Sequence, residues 1–273
     1  MSRKVIIPKD LLEFLYVEEC RRTQDIAKMF NTTSKTIVRK LHEYGIPVRQ
    51  SSTINRKYTF NENYFDEINT QQKAYLLGFL CADGWVGVNK YGNCDKVGLI
   101  VQNGDIEIIN HLKKSINGDN IPYIHQNECI GVCICSTHLA SKLAQYGVVP
   151  NKSLTLNIKT VIERANIHDK FIPSFILGYY DGDGGIYKSV GHNKKTIQWS
   201  CGFTGTYETC IFLQKWFECG HIIDEHSLNS KTFTFRLSGK NQVYNGLSKL
   251  YHIHNTFSLT RKKLKFLELE ESA

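Results

Sequence analysis

Two nine-residue segments of this chain match each other: LLGFLCADG at residues 76–84 and ILGYYDGDG at residues 176–184. Each is an apolar run that ends in an Asp-Gly pair, with Asp83 in the first copy and Asp183 in the second. Helix-start signals precede both copies, Thr70-Gln71-Gln72 in one and Ile172-Pro173-Ser174 in the other. We therefore predict two equivalent helices, each of which ends at its Asp-Gly pair.

The sequence downstream of each segment also repeats. In both copies the pattern becomes strand-like, then helical, then strand-like again, and it closes with a helix. Late in the copies, residues 146–155 align with residues 251–260. Two such units in one chain predict a pseudo-dimer with a two-fold axis. The expected fold class is α+β, with two pseudo-symmetric αββαββα repeats.

Small residues at a spacing of four predict that the two helices approach closely. These residues are Gly78 and Ala82 in one helix, and Gly178 and Gly182 in the other. Two carboxylates would then meet at two helix C-termini, where the helix dipole is also negative. A bound divalent cation would resolve that conflict, and oxygen ligands suit Mg²⁺. The alternative is a buried helix pair whose Asp-Gly ends are ordinary stop signals.

Most of the net positive charge lies in the N-terminal segment. The chain of 273 residues has a net charge of +8, and residues 1–57 contain 12 Lys/Arg against 6 Asp/Glu. Such a segment suits a polyanion, although a solvated basic face has the same composition. Mean hydropathy is −0.31, no apolar run is long enough to span a membrane, and no secretory signal is recognisable. We expect a cytoplasmic (bacterial or phage) or organellar protein.

Residues 8–45 fit three short helices that resemble a helix-turn-helix module of DNA recombinases and endonuclease-associated domains. Leu11, Leu12, Leu15 and Tyr16 form the expected apolar stripe of the first helix, and Thr23 and Ser34 are the expected N-caps of the other two. Gly45 is the expected stop, and the third helix takes the recognition position. A three-helix protein-interaction module is the alternative. The expected DNA contacts are Lys35, Thr36, Arg39, Lys40 and, in the following segment, Arg49.

The paired segments resemble the LAGLIDADG motif of homing endonucleases, present twice, and the resemblance covers about residues 70–268. It implies a monomer in which two repeats share their motif helices and two antiparallel sheets form a saddle along the DNA major groove. One acid from each motif would bind a divalent metal, and the enzyme would cut both strands of a long asymmetric site.

Carried over residue by residue, the resemblance makes Asp83 and Asp183 the metal ligands. Copy one has Cys81 where copy two has Asp181, which we expect at the surface or behind the ligands. Lys152 is the candidate basic residue of copy one. Its aligned partner is Phe257, so copy two must use another residue, Arg261 or Lys262. Gln102 is a further catalytic candidate, and a phosphate-facing or merely solvated role is the alternative for each.

The expected base-reading positions lie on the hairpin that follows each motif, where loop solubility would explain the same composition. They are Asn89, Lys90, Asn93 and Lys96 in copy one, and Lys188, His192, Asn193, Lys194, Lys195 and Gln198 in copy two. Cys129, Cys133 and Cys135 fall on one face of a strand, and no second cysteine pair stands at zinc-site spacing. We therefore expect no structural zinc.

The expected domains are a helix-turn-helix module at 1–50, a linker at 51–69, and the repeats at 70–165 and 166–273. The leading hypothesis is a homing endonuclease that makes a metal-dependent double-strand break in DNA by phosphodiester hydrolysis, as in intron homing. It would act as a monomer on double-stranded DNA, with no membrane partner. The alternatives are an RNA maturase that binds intron RNA and a catalytically inactive DNA-binding regulator.

Overall fold

The computed structural model describes residues 6–19, 21–48, 58–190, 197–224, 232–254 and 256–272. Its contacts divide the chain into two compact units, Met1–Lys57 and Tyr58–Ala273. Across the described ranges, no helix is both long and apolar enough to cross a membrane.

The first unit is a small helical module. Helix α1 spans Lys9–Glu13 and continues as a π-helical turn over Phe14–Glu18, α2 spans Thr23–Met29, and α3 spans Ser34–Glu43. Leu12, Leu15 and Tyr16 pack with residues of α2 and α3 in a common apolar core. Gly45 has φ +68°, a conformation that glycine adopts readily, and it follows α3 as predicted.

Three details of this unit differ from the prediction. Thr33, one residue before Ser34, caps α3 by accepting the Thr36 N–H. The Thr23 hydroxyl instead contacts that of Ser34 at 2.7 Å, and no side chain caps α2 in the described part of the chain. Leu11 is 41% exposed. The inward stripe of the helix therefore begins at Leu12.

The second unit contains two copies of the same element order. The first comprises helix α4 (Gln71–Ala82), strands β1 (Gly84–Val88) and β2 (Cys94–Gln102), helix α5 (Ile106–Ser115), strands β3 (Ile124–Gln126) and β4 (Cys129–Cys135), and helix α6 (Thr137–Tyr146). Helix α7 (Ile158–Arg164) connects the copies. The second comprises α8 (Ile172–Asp183), β5 (Gly184–Val190), β6 (Ile197–Gly205), α9 (Tyr207–Phe217), β7 (His221–Asp224), β8 (Phe233–Ser238) and α10 (Lys240–Tyr251), followed by α11 (Thr260–Glu271). The predicted αββαββα repeats are confirmed.

Each repeat forms one antiparallel four-stranded sheet, with strand orders β1-β2-β4-β3 and β5-β6-β8-β7. Val97, Leu99 and Val101 alternate along β2 and are buried in the core with the helices. Residues between them face the other way, because successive side chains of a strand alternate. We call this other side of each sheet its open face.

The motif helices α4 and α8 pack backbone against backbone. A β-carbon on Gly78 would lie 2.0 Å from the Phe175 carbonyl oxygen, and one on Gly178 would lie 1.9 Å from the Tyr75 carbonyl oxygen. No larger residue fits at either position without moving a helix. The close approach predicted from the small residues is therefore present, and it joins the two repeats.

Part of the expected linker belongs to the second unit. Tyr64, Phe65 and Ile68 are buried in its core, and the Tyr58 hydroxyl donates to the Cys133 carbonyl oxygen at 3.0 Å. These aromatic residues can cover apolar surface beside the first sheet, which the composition of the segment did not suggest. Residues 49–57, including Arg49, lie outside the described residues.

Candidate active site and nucleic-acid interface

The two predicted acids stand at the C-terminal ends of the paired motif helices. Asp83 caps α4, and Asp183 is the last residue of α8. A β-carbon on Gly182 would lie 2.3 Å from Ala82 Cβ and 3.4 Å from Asp83 Oδ2. The Asp83 carboxylate therefore borders α8 one residue before Asp183, so the fold brings the two acids together.

This crowding changes the acidity of both groups. Loss of hydration within the surrounding protein, followed by the charge of Asp83, raises the pKa of Asp183 to about 6. The same loss of hydration raises the pKa of Asp83, while Lys262 and Lys152 oppose the change. Both side chains still reach solvent. Their paired negative charge is thus unfavourable by itself and accessible to a cation from solution.

The donor set fits magnesium better than a softer metal. Mg²⁺ usually binds one or two carboxylates and keeps several waters, which is what two solvent-facing aspartates offer. Zinc instead favours sets of Cys and His ligands. No group of three or more His, Cys, Asp or Glu side chains in the described ranges could hold a metal ion.

Two buried lysines bind the C-terminal ends of the motif helices. Lys152 Nζ donates to the Ala82 carbonyl oxygen at 2.6 Å. Lys262 Nζ donates to the carbonyl oxygens of Tyr180 at 2.7 Å and Asp181 at 2.8 Å. A cation is favourable there because the last carbonyls of a helix lack intrahelical partners and carry its negative dipole end. Burial lowers the pKa of both amines, that of Lys262 to about 8.

The sequence offset pairs Lys152 with Phe257, and of the two other residues expected to serve copy two, Arg261 and Lys262, it is Lys262 that reaches the helix end. Lys262 is the counterpart of Lys152, because its amine also approaches the carbonyl of Gly182, the residue equivalent to Ala82, at 3.5 Å. Phe257 instead stacks on His111, with ring centroids 4.0 Å apart. Lys152 lies on a short 3₁₀ turn whereas Lys262 lies on α11, so different local structures deliver the same group and a fixed sequence offset fails.

The surroundings of the two acids are related by the pseudo-symmetry but differ chemically. Gly84 pairs with Leu99, and Gly184 pairs with Phe203, so the end of β2 corresponds to the end of β6. The Asp83 pocket is lined by Gln102, Asp105 and Arg261. The Asp183 pocket is lined by Lys152, Thr204 and Thr206. Gln102 therefore does lie beside Asp83, as a side chain that reaches solvent.

The Asp83 pocket contains an ion pair that joins the repeats. Arg261 donates to both carboxylate oxygens of Asp105, from Nε at 2.7 Å and from Nη2 at 2.9 Å. Nearby, Glu107 accepts from both the N–H and the hydroxyl of Thr260 at 2.6 Å. Sequence reasoning missed Asp105 and Glu107, because partners more than 150 residues apart leave no local signal.

Asp181 is buried rather than at the surface. Its Oδ2 accepts from the Tyr75 hydroxyl at 2.7 Å and from the Leu259 N–H at 2.8 Å. Burial raises its pKa to about 7, although Lys262 and both hydrogen bonds oppose this. Asp181 thus ties α4, α8 and the entry to α11 together behind the acids. Its counterpart Cys81 is also buried.

The predicted DNA-reading residues fall into different environments. Lys96 and Gln198 are exposed on the open faces, and Lys90 is exposed in the turn after β1. The Asn89 side chain accepts the N–H groups of Tyr91 and Asn93, so it shapes that turn. His192, Asn193, Lys194 and Lys195 lie outside the described residues.

Lys188 departs from the expectation. Its amine pairs with Glu268 of α11 and lies 5.5 Å from the centre of the Trp199 ring. Because Trp199 belongs to the buried side of β6, Lys188 points toward the helices rather than the open face. The sequence pattern indicated a basic strand position but not which side of the sheet it occupies.

On α3, Lys35 and Arg39 are exposed, whereas Thr36 and Lys40 are partly covered. The Thr36 hydroxyl bonds that of Thr33 at 3.1 Å, and Lys40 Nζ donates to Glu43 at 2.9 Å. Arg39 Nε also lies 3.6 Å from Glu43. Such exposed pairs contribute little to stability and can exchange partners easily.

Comparison with known proteins finds the same fold among solved structures. The sequence matches no protein-family profile and no curated protein. Among solved structures, it is similar to I-GzeII in complex with its DNA target (11% identity, TM-score 0.50, 72% of this chain and 87% of that one). It is also similar to I-LtrWI bound to target DNA (12% identity, TM-score 0.52, 78% and 91%). A third is I-SmaMI bound to uncleaved DNA in the presence of calcium ions (12% identity, TM-score 0.51, 71% and 89%). On this evidence the chain has the fold of the LAGLIDADG homing endonucleases.

Proposed function

We propose that this protein is a site-specific DNA endonuclease that makes a magnesium-dependent double-strand break, as in intron homing. The observation that carries the proposal is the meeting of Asp83 and Asp183 between two pseudo-symmetric repeats. Each acid comes from one repeat, and each repeat presents an open sheet face. Two related acid pockets suit the two strands of a duplex.

Asp83 and Asp183 would hold the metal, which supplies a water of lowered pKa and offsets phosphate charge when bound. Gln102 offers an amide to a phosphate oxygen or to the attacking water from the wall of the Asp83 pocket. Arg261 lines the same pocket, where Asp105 fixes the direction of its guanidinium. Hydrolysis adds water across one P–O bond in each strand and leaves a phosphate and a hydroxyl.

Lys152 and Lys262 act in this proposal as positioning residues. Their amines bond main-chain oxygens at the helix ends, so they hold those ends in place and stabilise the ionised acids. Each acid also depends on the other repeat. Lys152 of repeat one lines the Asp183 pocket, and Arg261 of repeat two lines the Asp83 pocket. One chain thus supplies both complete sites, which supports a monomer.

The first unit would add a further DNA contact through Lys35 and Arg39 on α3. Their exposed side chains follow the start of a helix, from which they can reach phosphates and base edges. Glu43 pairs with the neighbouring Lys40 at the surface, and a DNA phosphate could replace it.

The decisive experiment incubates the protein and Mg²⁺ with the genomic locus around its gene, carried on a plasmid with or without the insertion. We expect a linear product only from the uninterrupted locus, and none with EDTA. Asp83→Asn is the inactive variant, and Asp119→Asn, at an exposed acid of repeat one, is the matched control that should retain cleavage. Tight binding without cleavage would favour the DNA-binding regulator, and binding only to intron RNA would favour the maturase.

A further inference from the structure

The open faces of the two sheets carry different chemistry. On the first sheet, Gly98 of β2 stands between Trp85 of β1 and Cys133 of β4 in one row across the strands. The Trp85 ring lies over Gly98, since a β-carbon there would sit 2.0 Å from the ring. The next outward residue of β2 is Ile100, opposite Gly131. This part of the face is therefore an apolar ledge.

Two of the three equivalent positions of the second sheet are polar, and the third, the counterpart of Trp85, is Gly185. Leu99 pairs with Gly84, and Phe203 pairs with Gly184, so Leu99 and Phe203 are equivalent. The neighbouring residues of the two sheets correspond in the same order. Cys133 then corresponds to Arg236, which pairs with Gly202 as Cys133 pairs with Gly98. Ile100 corresponds to Thr204 in the same way. The aromatic residue of that face is Tyr187, which carries a hydroxyl.

The polar and the apolar open face can recognise different groups of the DNA bases. Arginine and threonine can hydrogen-bond to base edges in the major groove, whereas an apolar side chain makes its most specific contact with the thymine methyl group. A thiol is only a weak hydrogen-bonding group. The ledge therefore has little with which to distinguish guanine or cytosine, and it has the surface to bury methyl groups.

We propose that the ledge of repeat one reads the bases over it through thymine methyl groups packed on Trp85, Ile100 and Cys133, whereas repeat two reads the equivalent bases by hydrogen bonds. This inference rests on the proposed function, because it requires a duplex along the open faces. It makes the preferred target asymmetric in composition, with thymines concentrated in the half-site under repeat one.

The test begins with a duplex library that has a randomised central segment. Bound molecules are selected in Ca²⁺ and sequenced. A photocrosslinking amino acid in place of Lys96 identifies the half-site under repeat one, and one in place of Gln198 identifies the other. Thymines in each half-site of the selected duplex are then replaced by deoxyuridine, which removes only the methyl group and leaves the protein unaltered.

We expect each replacement under repeat one to weaken binding by about fourfold, the value of one buried methyl group. Replacement under repeat two should change affinity less than about twofold, since its contacts do not use the methyl group. Equal sensitivity of the half-sites would overturn the inference while leaving the proposed function intact. Selection of no duplex would overturn both.

A protein variant tests the assignment to the ledge. Cys133→Ser keeps the size of the side chain but replaces the apolar sulfur by a hydroxyl. It should reduce the discrimination between thymine and deoxyuridine at one position of the repeat-one half-site. Cys219→Ser, at a half-buried cysteine in repeat two, is the matched control and should leave that discrimination unchanged. Unchanged discrimination in Cys133→Ser would remove this residue from the reading surface.

Discussion

The two acid sites share a backbone plan but differ in the side chains that surround them. The Asp83 pocket is walled by Gln102 and by an Arg261 guanidinium fixed on Asp105. In the Asp183 pocket, the Thr206 hydroxyl is turned away to the Leu156 carbonyl oxygen, and Lys152 is the basic residue of the lining. The duplication thus preserves the acid, the helix end and the close glycine contact, while the supporting groups vary.

This difference indicates which features must be the same in both copies for the two acids to meet. Gly78 and Gly178 each face a backbone oxygen of the other helix at about the same distance, so any change there would separate the acids. The polar side chains of the walls are not under that constraint, because they do not belong to the motif helices. We expect both acids to be indispensable and the walls to be unequal in importance.

The largest expected effect is the loss of an acid. Asp83→Asn or Asp183→Asn should abolish cleavage of both strands while specific DNA binding stays within about tenfold, since a metal ligand is removed and the groove surface is not. Plasmid cleavage and gel-shift titration measure the two properties. If either variant still nicked one defined strand, the two sites would act separately. Each acid would then belong to its own metal site.

The fold and the acids could be predicted because their signals are local. The nine-residue repeat contains the helix, its small packing residues and the acid at fixed spacing. Lys188 could not be placed, because its side of the sheet depends on the register and on Glu268, 80 residues away. Likewise the offset alignment paired Lys152 with Phe257 and left Arg261 and Lys262 open, because only the folded helix end shows which side chain reaches the equivalent carbonyl.

The next prediction contrasts the two lysines. Lys262→Met should lower the free energy of unfolding by about 2–3 kcal/mol and Lys152→Met by about 1 kcal/mol, since an unsatisfied buried group costs roughly 1–3 kcal/mol. Lys262 donates to several carbonyls and Lys152 to one. Chemical denaturation of both variants, with Lys263→Met as an exposed control, measures this. Equal losses of unfolding free energy would mean that the number of carbonyl partners does not determine how much each lysine stabilises the fold.

A third prediction concerns the ends of the DNA site. Deletion of residues 1–57 should weaken target binding by roughly tenfold and lower the salt slope by about 0.9 for each lost phosphate contact. Cleavage at high protein concentration should survive, because both acids lie in the other unit. Footprinting should show protection lost at one end only, which would reveal the half-site nearer the module. An unchanged footprint and slope would favour the protein-interaction alternative.

The smallest expected effect is on the stability of the metal-free protein, in which the two acids can be compared. In the folded protein the pKa of Asp183 is raised from 3.8 to about 6. Between these values the native state keeps a proton that the unfolded chain has released, so stability falls as pH rises through this window. At neutral pH Asp183 is ionised in both states, so the folded protein bears the whole free-energy cost of the raised pKa. Solvent around the exposed carboxylate keeps that cost small. Asp183→Asn removes it.

In EDTA at neutral pH, Asp183→Asn should therefore raise Tm by about 2–4 °C if the relief is near 1 kcal/mol. Asp83→Asn should raise Tm less, because the charge of Asp83 adds to the rise in the pKa of Asp183, whereas Arg261 opposes the rise in the pKa of Asp83. Below pH 3.8 the advantage should vanish for both, since the carboxyl is then protonated in both states. Added Mg²⁺ should stabilise the unaltered protein and neither variant. A variant that gained no stability in EDTA would show that the ionised carboxylate does not destabilise the folded protein, and the two acids would then give no electrostatic reason for a metal between the repeats.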